Sequence, residues 1–424
     1  MKPAVKIGSL MLAVLMLFTA IASGCTVTKD FSYKTDKKEL AIGIYIYELS
    51  EAYFKAQDYA EKLDDYDAAK DSWLDMEITD DDGNTAVARQ WIKDTAEQKC
   101  LEMFVIEDQL NTLGATVDSA TLEQYKTQSK NYWDFGVPDA SYLQYGYGYN
   151  PLKENYSKWG ISYESFEYAT SDYYAMRELL FDKLYLDGGS EAPAEADVEK
   201  YFEENYVKYS YVPVELYTTE EDEDGNSSSK AMSDEEIKKV TDEFDGYAKA
   251  VNDAKDVAAA TEAFEAQVTA YVDAKGLSEN SPQVTNTALR DKTNVGEEVD
   301  KAIAELGEGK ATTVKVGEGE SAMYYYVFRY STQSAKDDYL NDTNMESIIH
   351  NMKDSDYTEL LKKLISDLNY EKSSSVDGYD PGMFFVAKEP ETTEAPAENA
   401  AEGADIQADN NAEAADAAAE SVAE

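Results

Sequence analysis

The apolar residues of this chain change their spacing twice, and this change constrains the fold more than any other feature. In the first half they recur every three to four positions, as in Ile46, Leu49 and Tyr53, which predicts amphipathic helices. At residues 212–216 the spacing shortens to two, which predicts a strand. The helical spacing returns from about residue 335. The pattern indicates an α+β protein in which a sheet interrupts helical segments.

The strand signals are uneven along this central segment. Pro213 lies within the alternating run at 212–216, and because proline cannot donate a backbone hydrogen bond, the run is predicted to be an edge strand or to begin late. Residues 312–316 and 322–330 alternate on either side of Gly317, which predicts a hairpin. Helical spacing from Asp234 to Lys275 predicts helices between these strands.

The N-terminus indicates an exported, lipid-anchored protein. Lys2 and Lys6 precede an apolar run at residues 7–21, and small residues then lead directly to Cys25. This order is typical of a bacterial lipoprotein signal, in which Cys25 is lipidated and becomes the mature N-terminus. The alternative is an ordinary secretory signal in which the cysteine is coincidental.

The composition excludes several classes of function. A formal net charge of -48 disfavours binding to nucleic acids or to an anionic bilayer surface, because both would repel the chain. Two cysteines and one histidine leave too few ligands for zinc-ribbon or haem sites. Cys100 lies on an apolar helix face and is predicted to be buried, whereas His350 is predicted to lie at the surface. No glycine-rich phosphate loop occurs, so no cofactor is predicted.

Two acidic runs, Asp80–Asn84 and Asp222–Asn226, have the oxygen-rich composition of calcium loops. Placing the glycine of each run at the sixth loop position puts Arg89 or Ala231 where an EF-hand needs a bidentate glutamate. Both runs are therefore predicted to be turns or loops between elements, and no metal site is predicted.

Four tyrosines cluster on a segment rich in glycine and flanked by prolines. Tyrosine offers a flat apolar ring with a polar edge, so such a loop can contact peptides or glycans. Most of the 33 tyrosines are spread over the predicted helices and strands and are expected to pack in cores. The candidates for a partner-binding loop are Tyr142, Tyr145, Tyr147 and Tyr149.

Three segments carry a resemblance to a known family: DVEKYFEENYVKY at 197–209, Gly160-Ile161-Ser162, and AIAELGEGKATTVKV at 302–316. With Cys25 and the order of elements, these segments resemble the PrsA-type foldase lipoproteins and, more distantly, the SurA-type periplasmic chaperones. In both groups a parvulin peptidyl-prolyl isomerase domain is inserted into a helical chaperone domain. The resemblance covers most of residues 40–370.

The composition of the two ends and the resemblance of the middle together predict a division of the chain into seven parts. The predicted parts are a signal peptide (1–24), a tether (25–38), a helical chaperone-like block (39–190), a linker with the helix that leads into the next domain (191–206), a parvulin-like domain (207–332), C-terminal helices that complete the helical domain (333–385) and a disordered acidic tail (386–424).

By the same resemblance, the site residues can be placed on the sequence. Parvulins carry one histidine on the first strand of the domain and another on the last, and this chain has neither. Tyr325 stands where the second histidine is expected, and Tyr217 is a weak candidate for a polar group on the first strand. The apolar cradle for the client would include Leu216, Val295, Val299 and Tyr325.

The resemblance therefore implies a chaperone or foldase on the extracytoplasmic side of a bacterial membrane, anchored by lipid on Cys25. Its partners would be unfolded polypeptides with basic or apolar segments. Whether the chain is an enzyme stays open, because both site histidines are absent. One alternative is an active peptidyl-prolyl isomerase with an atypical pocket. Another is a surface lipoprotein that captures peptides or glycans on its tyrosine-rich loop.

Overall fold

The computed structural model describes most of the chain, in four stretches: residues 30–186, 188–221, 227–277 and 281–387. The predicted signal peptide, the lipidation site Cys25, the Asp222–Asn226 run and the tail beyond residue 387 lie outside the described residues. No helix within these four stretches combines the length and apolar character that a membrane span requires.

The chain divides into two compact units that alternate along the sequence. Within the described residues, the first unit contains residues 30–104, 120–173 and 369–387. The second unit contains residues 105–119 and 174–368. The sequence predicted one continuous helical block over 39–190, whereas this division takes parts of that stretch into both units.

The first unit opens with two strands and a long helix. These elements are β1 (Phe31–Lys34), β2 (Glu39–Ala41) and α1 (Ile42–Ala60). β1 and β2 are antiparallel, and Tyr33 in β1 is fully buried. The tether was predicted to reach residue 38, but β1 begins at Phe31 and two of its four side chains are buried. The tether therefore does not extend past Asp30.

The apolar stripe predicted for α1 is buried as expected. Ile46, Leu49, Tyr53 and Ala56 are each no more than 3% exposed, so one face of the helix forms the core of the unit. The helix ends at Ala60, one turn earlier than a stripe reaching Leu63 implied.

A small hairpin and a series of helices complete this half of the chain. Asp80 closes the hairpin by accepting hydrogen bonds from the backbone N–H groups of Asp82 and Asn84, so the predicted Asp-Gly turn is confirmed here. The elements are β3 (Glu77–Thr79), β4 (Thr85–Val87), α2 (Ala88–Leu113), α3 (Ser119–Phe135), α4 (Lys153–Trp159), α5 (Tyr163–Glu167) and α6 (Tyr173–Tyr185).

The sheet domain lies in the second unit. Its two longest internal helices begin at clear N-terminal caps: Ser233 and Glu236 form a reciprocal capping box, and Asp256 accepts from the backbone N–H of Ala259. The elements are α7 (Glu195–Asn205), β5 (Tyr206–Glu215), β6 (Tyr217–Glu221), β7 (Ser227–Ala231), α8 (Asp234–Asn252), α9 (Val257–Lys275), β8 (Val284–Leu289), α10 (Glu297–Glu305), β9 (Lys310–Val316), β10 (Met323–Arg329), α11 (Thr332–Tyr339) and α12 (Asp342–Ser366).

Four of these strands form one antiparallel sheet in the order β8-β5-β10-β9. The predicted hairpin is confirmed as β9 and β10, which are joined through Gly317 in a left-handed conformation. β5 differs from its prediction, because it is an interior strand that begins at Tyr206. Pro213 is tolerated there because β8 pairs with β5 only as far as Tyr211, which leaves one side of Pro213 without a partner strand.

The last short strand, β11 (Glu371–Lys372), returns to the first unit and pairs with β1. The segment predicted as C-terminal helices, 333–385, thus contains α11 and α12 followed by this strand and two turns of 3₁₀ helix. The small sheets within a largely helical chain make the protein α+β, as the sequence predicted.

Candidate functional site

The two faces of the four-stranded sheet have different coverings. One face carries Val212, Tyr326 and Phe328, which pack under α8 and α9 in a large cluster of buried residues. We call this the covered face. The other carries Val207, Tyr209 and Val327 and is overlaid by the short helix α10. We call this the open face, because several of its apolar residues are only partly buried.

The open face brings three of the predicted site residues together. Val299 on α10 is buried in its cluster, and Val295 and Tyr325 pack against that cluster while remaining partly exposed. Beside Tyr325 lies Tyr211 of β5, and the two ring centroids are 5.9 Å apart. Together these side chains form an apolar surface with a tyrosine floor.

The other two predicted residues lie elsewhere. Leu216 is fully buried in the cluster of the covered face, and its backbone N–H donates to the Ala322 carbonyl at 2.9 Å. Tyr217 begins β6, which pairs only with β7 in a separate two-stranded ribbon. Leu216 follows the alternation of Val212 and Val214 onto the covered face. Tyr217 lies beyond the end of β5 at Glu215 and does not reach the open face.

A loop before α10 is held in place by Asp300. The Asp300 carboxylate accepts a hydrogen bond from the Thr293 hydroxyl at 2.6 Å and another from the Val295 backbone N–H at 2.9 Å. The Thr293 carbonyl in turn accepts from the buried Tyr209 hydroxyl at 3.0 Å. Asn294 adopts a left-handed backbone conformation within this loop. These contacts fix Val295 at the edge of the open face.

The sequence prediction did not include Tyr209, Tyr211 or Asp300. Tyr211 could have been found from the two-residue repeat once the register of β5 was known, because it shares a face with Pro213, the partner of Tyr325. Asp300 gave no signal in the sequence, since it is one of 86 acidic residues.

The open face offers little acid–base chemistry. Burial raises the pKa of Tyr211, and the neighbouring Tyr325 raises it further. Burial also raises the pKa of Tyr209. Both hydroxyls therefore stay protonated near neutral pH and can donate hydrogen bonds but not abstract protons. What the arrangement can do is bind an apolar segment.

The four tyrosines of the predicted partner loop are all exposed and belong to the first unit. Their exposed fractions are 39% for Tyr142, 75% for Tyr145, 59% for Tyr147 and 61% for Tyr149. The rings of Tyr142 and Tyr147 contact each other edge to face at 5.3 Å. The segment from Ala140 to Tyr145 forms a 3₁₀ helix in which no side chain is buried. The loop could therefore meet a partner directly.

The solved structures that this chain matches include two foldase structures of the family that the sequence resembles. The chain is similar to the foldase protein PrsA from Streptococcus pneumoniae, with 15% identity and a TM-score of 0.27, over 71% of this chain and 97% of that one. It is also similar to PrsA from Bacillus subtilis, with 14% identity and a TM-score of 0.24, over 70% and 94% of the two chains. No family model and no curated protein matches the chain.

The α+β class follows from the strands and helices described above.

Proposed function

We propose that this protein is an extracytoplasmic chaperone or foldase that transiently binds unfolded polypeptide segments on the open face of its sheet domain. The observation that carries the proposal is the incomplete covering of that face. Tyr211, Val295 and Tyr325 are partly exposed there, while the covered face of the same sheet packs fully under two helices. Exposed apolar surface of this kind is typical of interaction sites.

Binding rather than catalysis is the simpler role for this surface. Isomerisation of a prolyl bond needs no covalent step, but it needs groups that favour the twisted amide over the planar one. Neither strand of the candidate site carries a histidine, since the single histidine of the chain is His350 on α12. The proposal is therefore a holdase whose parvulin-like site has little or no isomerase activity.

Charge adds a preference for basic clients. The chain has a net charge of -48, and Glu297 and Glu298 are exposed in the first turn of α10, directly before Val299. Such a surface attracts cationic segments at a distance and raises the rate of encounter. Anchoring of the protein by lipid on Cys25 remains part of the proposal, carried by the N-terminal sequence alone.

The test is binding of a fluorescent, unfolded basic polypeptide, followed by anisotropy, together with suppression of its aggregation. Tyr325→Ala removes a partly exposed ring from the open face and should weaken binding about tenfold, which corresponds to about 1.4 kcal/mol. Tyr145→Ala removes a ring of the same kind from the first unit, where it is 75% exposed, and serves as the control. Equal affinities of the wild type and both variants would overturn the proposed site.

A second measurement separates binding from catalysis. Tyr325→Phe keeps the ring and removes the hydroxyl, so it should leave client binding unchanged. Prolyl isomerisation of a short peptide, followed by exchange NMR, should be close to the uncatalysed rate for both proteins. Turnover that is substantial in the wild type and lost in Tyr325→Phe would favour the isomerase alternative instead.

The exposure of the tyrosine-rich loop supports a second candidate function, capture of peptides or glycans by the first unit. Here Tyr145→Ala is the informative variant, because Tyr145 is the most exposed of the four rings. If Tyr145→Ala weakens binding of the unfolded client or of an oligosaccharide while Tyr325→Ala does not, the loop is the binding site.

A further inference from the structure

Four side chains of metal-ligating type, on α6 and α12, converge in the second unit. Glu178 and Asp182 lie four residues apart on α6, and Glu346 and His350 lie four residues apart on α12. Side chains at this spacing share one helix face. One ligand atom from each of the four lies within 4.8 Å of the others.

This cluster differs from a patch of surface acids in its burial and in its histidine. Glu178, Asp182 and His350 are partly buried, and Glu346 alone is exposed. The sequence predicted His350 to lie at the surface, but its ring stacks on buried Phe181 with centroids 3.8 Å apart and planes 11° apart. Its Nε2 lies 3.0 Å from Glu178 Oε1. The ring is thus oriented, and that nitrogen points to a carboxylate.

An unsatisfied oxygen marks the same place. Asp182 Oδ1 is shielded from solvent and has no hydrogen-bond partner. Among the described side chains, no other carboxylate oxygen is both shielded and unpartnered. Buried polar atoms are almost always hydrogen-bonded, so an exception indicates a missing partner. A cation beside Asp182 would supply it.

The local charge is also in excess. Glu178, Asp182 and Glu346 place three carboxyl groups beside the single imidazole of His350, with ligand atoms within 4.8 Å of one another. Like charges at this separation repel unless a cation lies between them.

We propose that Glu178, Asp182, Glu346 and His350 bind one divalent transition-metal ion, with Zn²⁺ the best fit. Four ligands of imidazole and carboxylate type suit the tetrahedral preference of zinc. The imidazole disfavours Ca²⁺ and Mg²⁺, which take oxygen ligands. The ion would take the place of the proton between His350 Nε2 and Glu178.

Such an ion would have a structural role that is independent of client binding. α6 precedes the sheet domain in sequence and α12 follows it, so the ion would join the two ends of that domain. A ligand that binds only the folded state stabilises it by mass action. We therefore expect Zn²⁺ to raise the melting temperature, by about 5 °C at a hundredfold excess over the dissociation constant.

The test uses the purified full-length protein without a histidine tag. Zn²⁺ affinity is measured by competition with a chromophoric chelator, and Co²⁺ is added separately as a spectroscopic probe. The wild type should bind one Zn²⁺ and give the intense visible bands of tetrahedral Co²⁺. His350→Gln should lower the Zn²⁺ affinity about 100-fold and abolish those bands. Millimolar Ca²⁺ or Mg²⁺ should not compete.

Glu359→Gln is the matched control, because it changes one exposed, lysine-paired carboxylate farther along the same helix. It should bind both metals as the wild type does. Glu346→Gln is a second test variant whose exposed position should leave folding unaffected. Wild-type affinity in both His350→Gln and Glu346→Gln would overturn the site, as would metal binding by the wild type that excess Mg²⁺ removes.

Discussion

The covered and open faces of the sheet are built from alternate residues of the same strands, yet they differ in what lies over them. Phe264 of α9 stacks on Phe328 of β10 at 4.6 Å, and both side chains are fully buried. On the opposite side Tyr325 is partly exposed and packs against the cluster beneath α10 and beside the ring of Tyr211. One strand can therefore serve stability with one set of residues and recognition with the other.

The largest expected effect is on the covered face. Phe264→Ala should lower the free energy of unfolding by about 3 to 5 kcal/mol, because it opens a cavity beneath a fully packed sheet. Tyr325→Ala on the open face should cost less than about 1.5 kcal/mol, since its site is already in contact with solvent. Urea denaturation followed by circular dichroism measures both. Similar losses for the two variants would contradict the distinction between the faces.

A buried carboxyl in the first unit also makes the free energy of unfolding depend on pH, so the variants of the two faces should be compared at one fixed pH. Burial raises the pKa of Glu48 on α1 from 4.5 to about 8, with Glu51 and Glu102 adding to the shift and Lys99 opposing it. The folded state then binds more protons than the unfolded state between these values. Stability should therefore fall as pH rises from about 4.5 to 8, by up to a few kcal/mol.

Glu48→Gln should remove the part of this pH dependence that Glu48 contributes, while Glu61→Gln, an exposed site just after α1, should retain all of it. Burial also raises the pKa of Glu51 to about 7, so a smaller dependence should persist in Glu48→Gln. Thermal unfolding at several pH values tests the pair. Parallel pH profiles for the wild type and Glu48→Gln would show that the carboxyl does not titrate in this range.

Asp300→Asn should have a smaller effect that is confined to the open face. The substitution weakens two hydrogen bonds to a charged acceptor, from the Thr293 hydroxyl and the Val295 N–H, and should cost about 1 to 2 kcal/mol. Client binding should weaken as well, because Val295 is no longer held at the edge of the site. Glu297→Gln removes the same charge from the first turn of α10 and should leave both stability and Val295 in place.

The smallest effect is expected for Tyr325→Phe, which should change unfolding free energy by no more than about 0.5 kcal/mol. Its ring still packs against Tyr211, so the apolar surface of the open face is preserved. A loss comparable to that of Tyr325→Ala would mean that the hydroxyl, rather than the ring, maintains this face.

How far the sequence predicted these features depended on how local their signals are. The apolar stripe of α1 and the β9–β10 hairpin were predicted correctly because each signal is local. The repeat of α1 recurs every few residues, and the turn directly joins the two strands of the hairpin. The start of β5 was missed because YVKYSY at 206–211 shows no clear alternation between polar and apolar residues. β8 was not predicted, because it carries mostly polar and small residues and its pairing partner β5 is far away in sequence.

The candidate site shows the same limit. Val295, Val299 and Tyr325 could be proposed together through the resemblance. The placement of Leu216 depended on which face its alternation with Val214 lines, and that of Tyr217 on where β5 ends. A shift of one residue moves a side chain to the other face of a sheet, and sequence alone did not fix that register. The cluster around His350 was invisible for a different reason, since its two halves lie on helices separated by the whole sheet domain.

The pairing of β1 with β11 has a consequence for the order in which this chain can fold as it emerges N-terminus first. Tyr33 pairs with Lys372, and Tyr53 and Trp159 both contact the ring of Phe384, so the first unit needs residues that lie beyond the sheet domain in sequence. The strand pairing of the sheet lies within residues 206–329, so these strands can pair before those residues emerge. The first unit is therefore expected to complete its fold after the sheet has paired, once β11 has emerged.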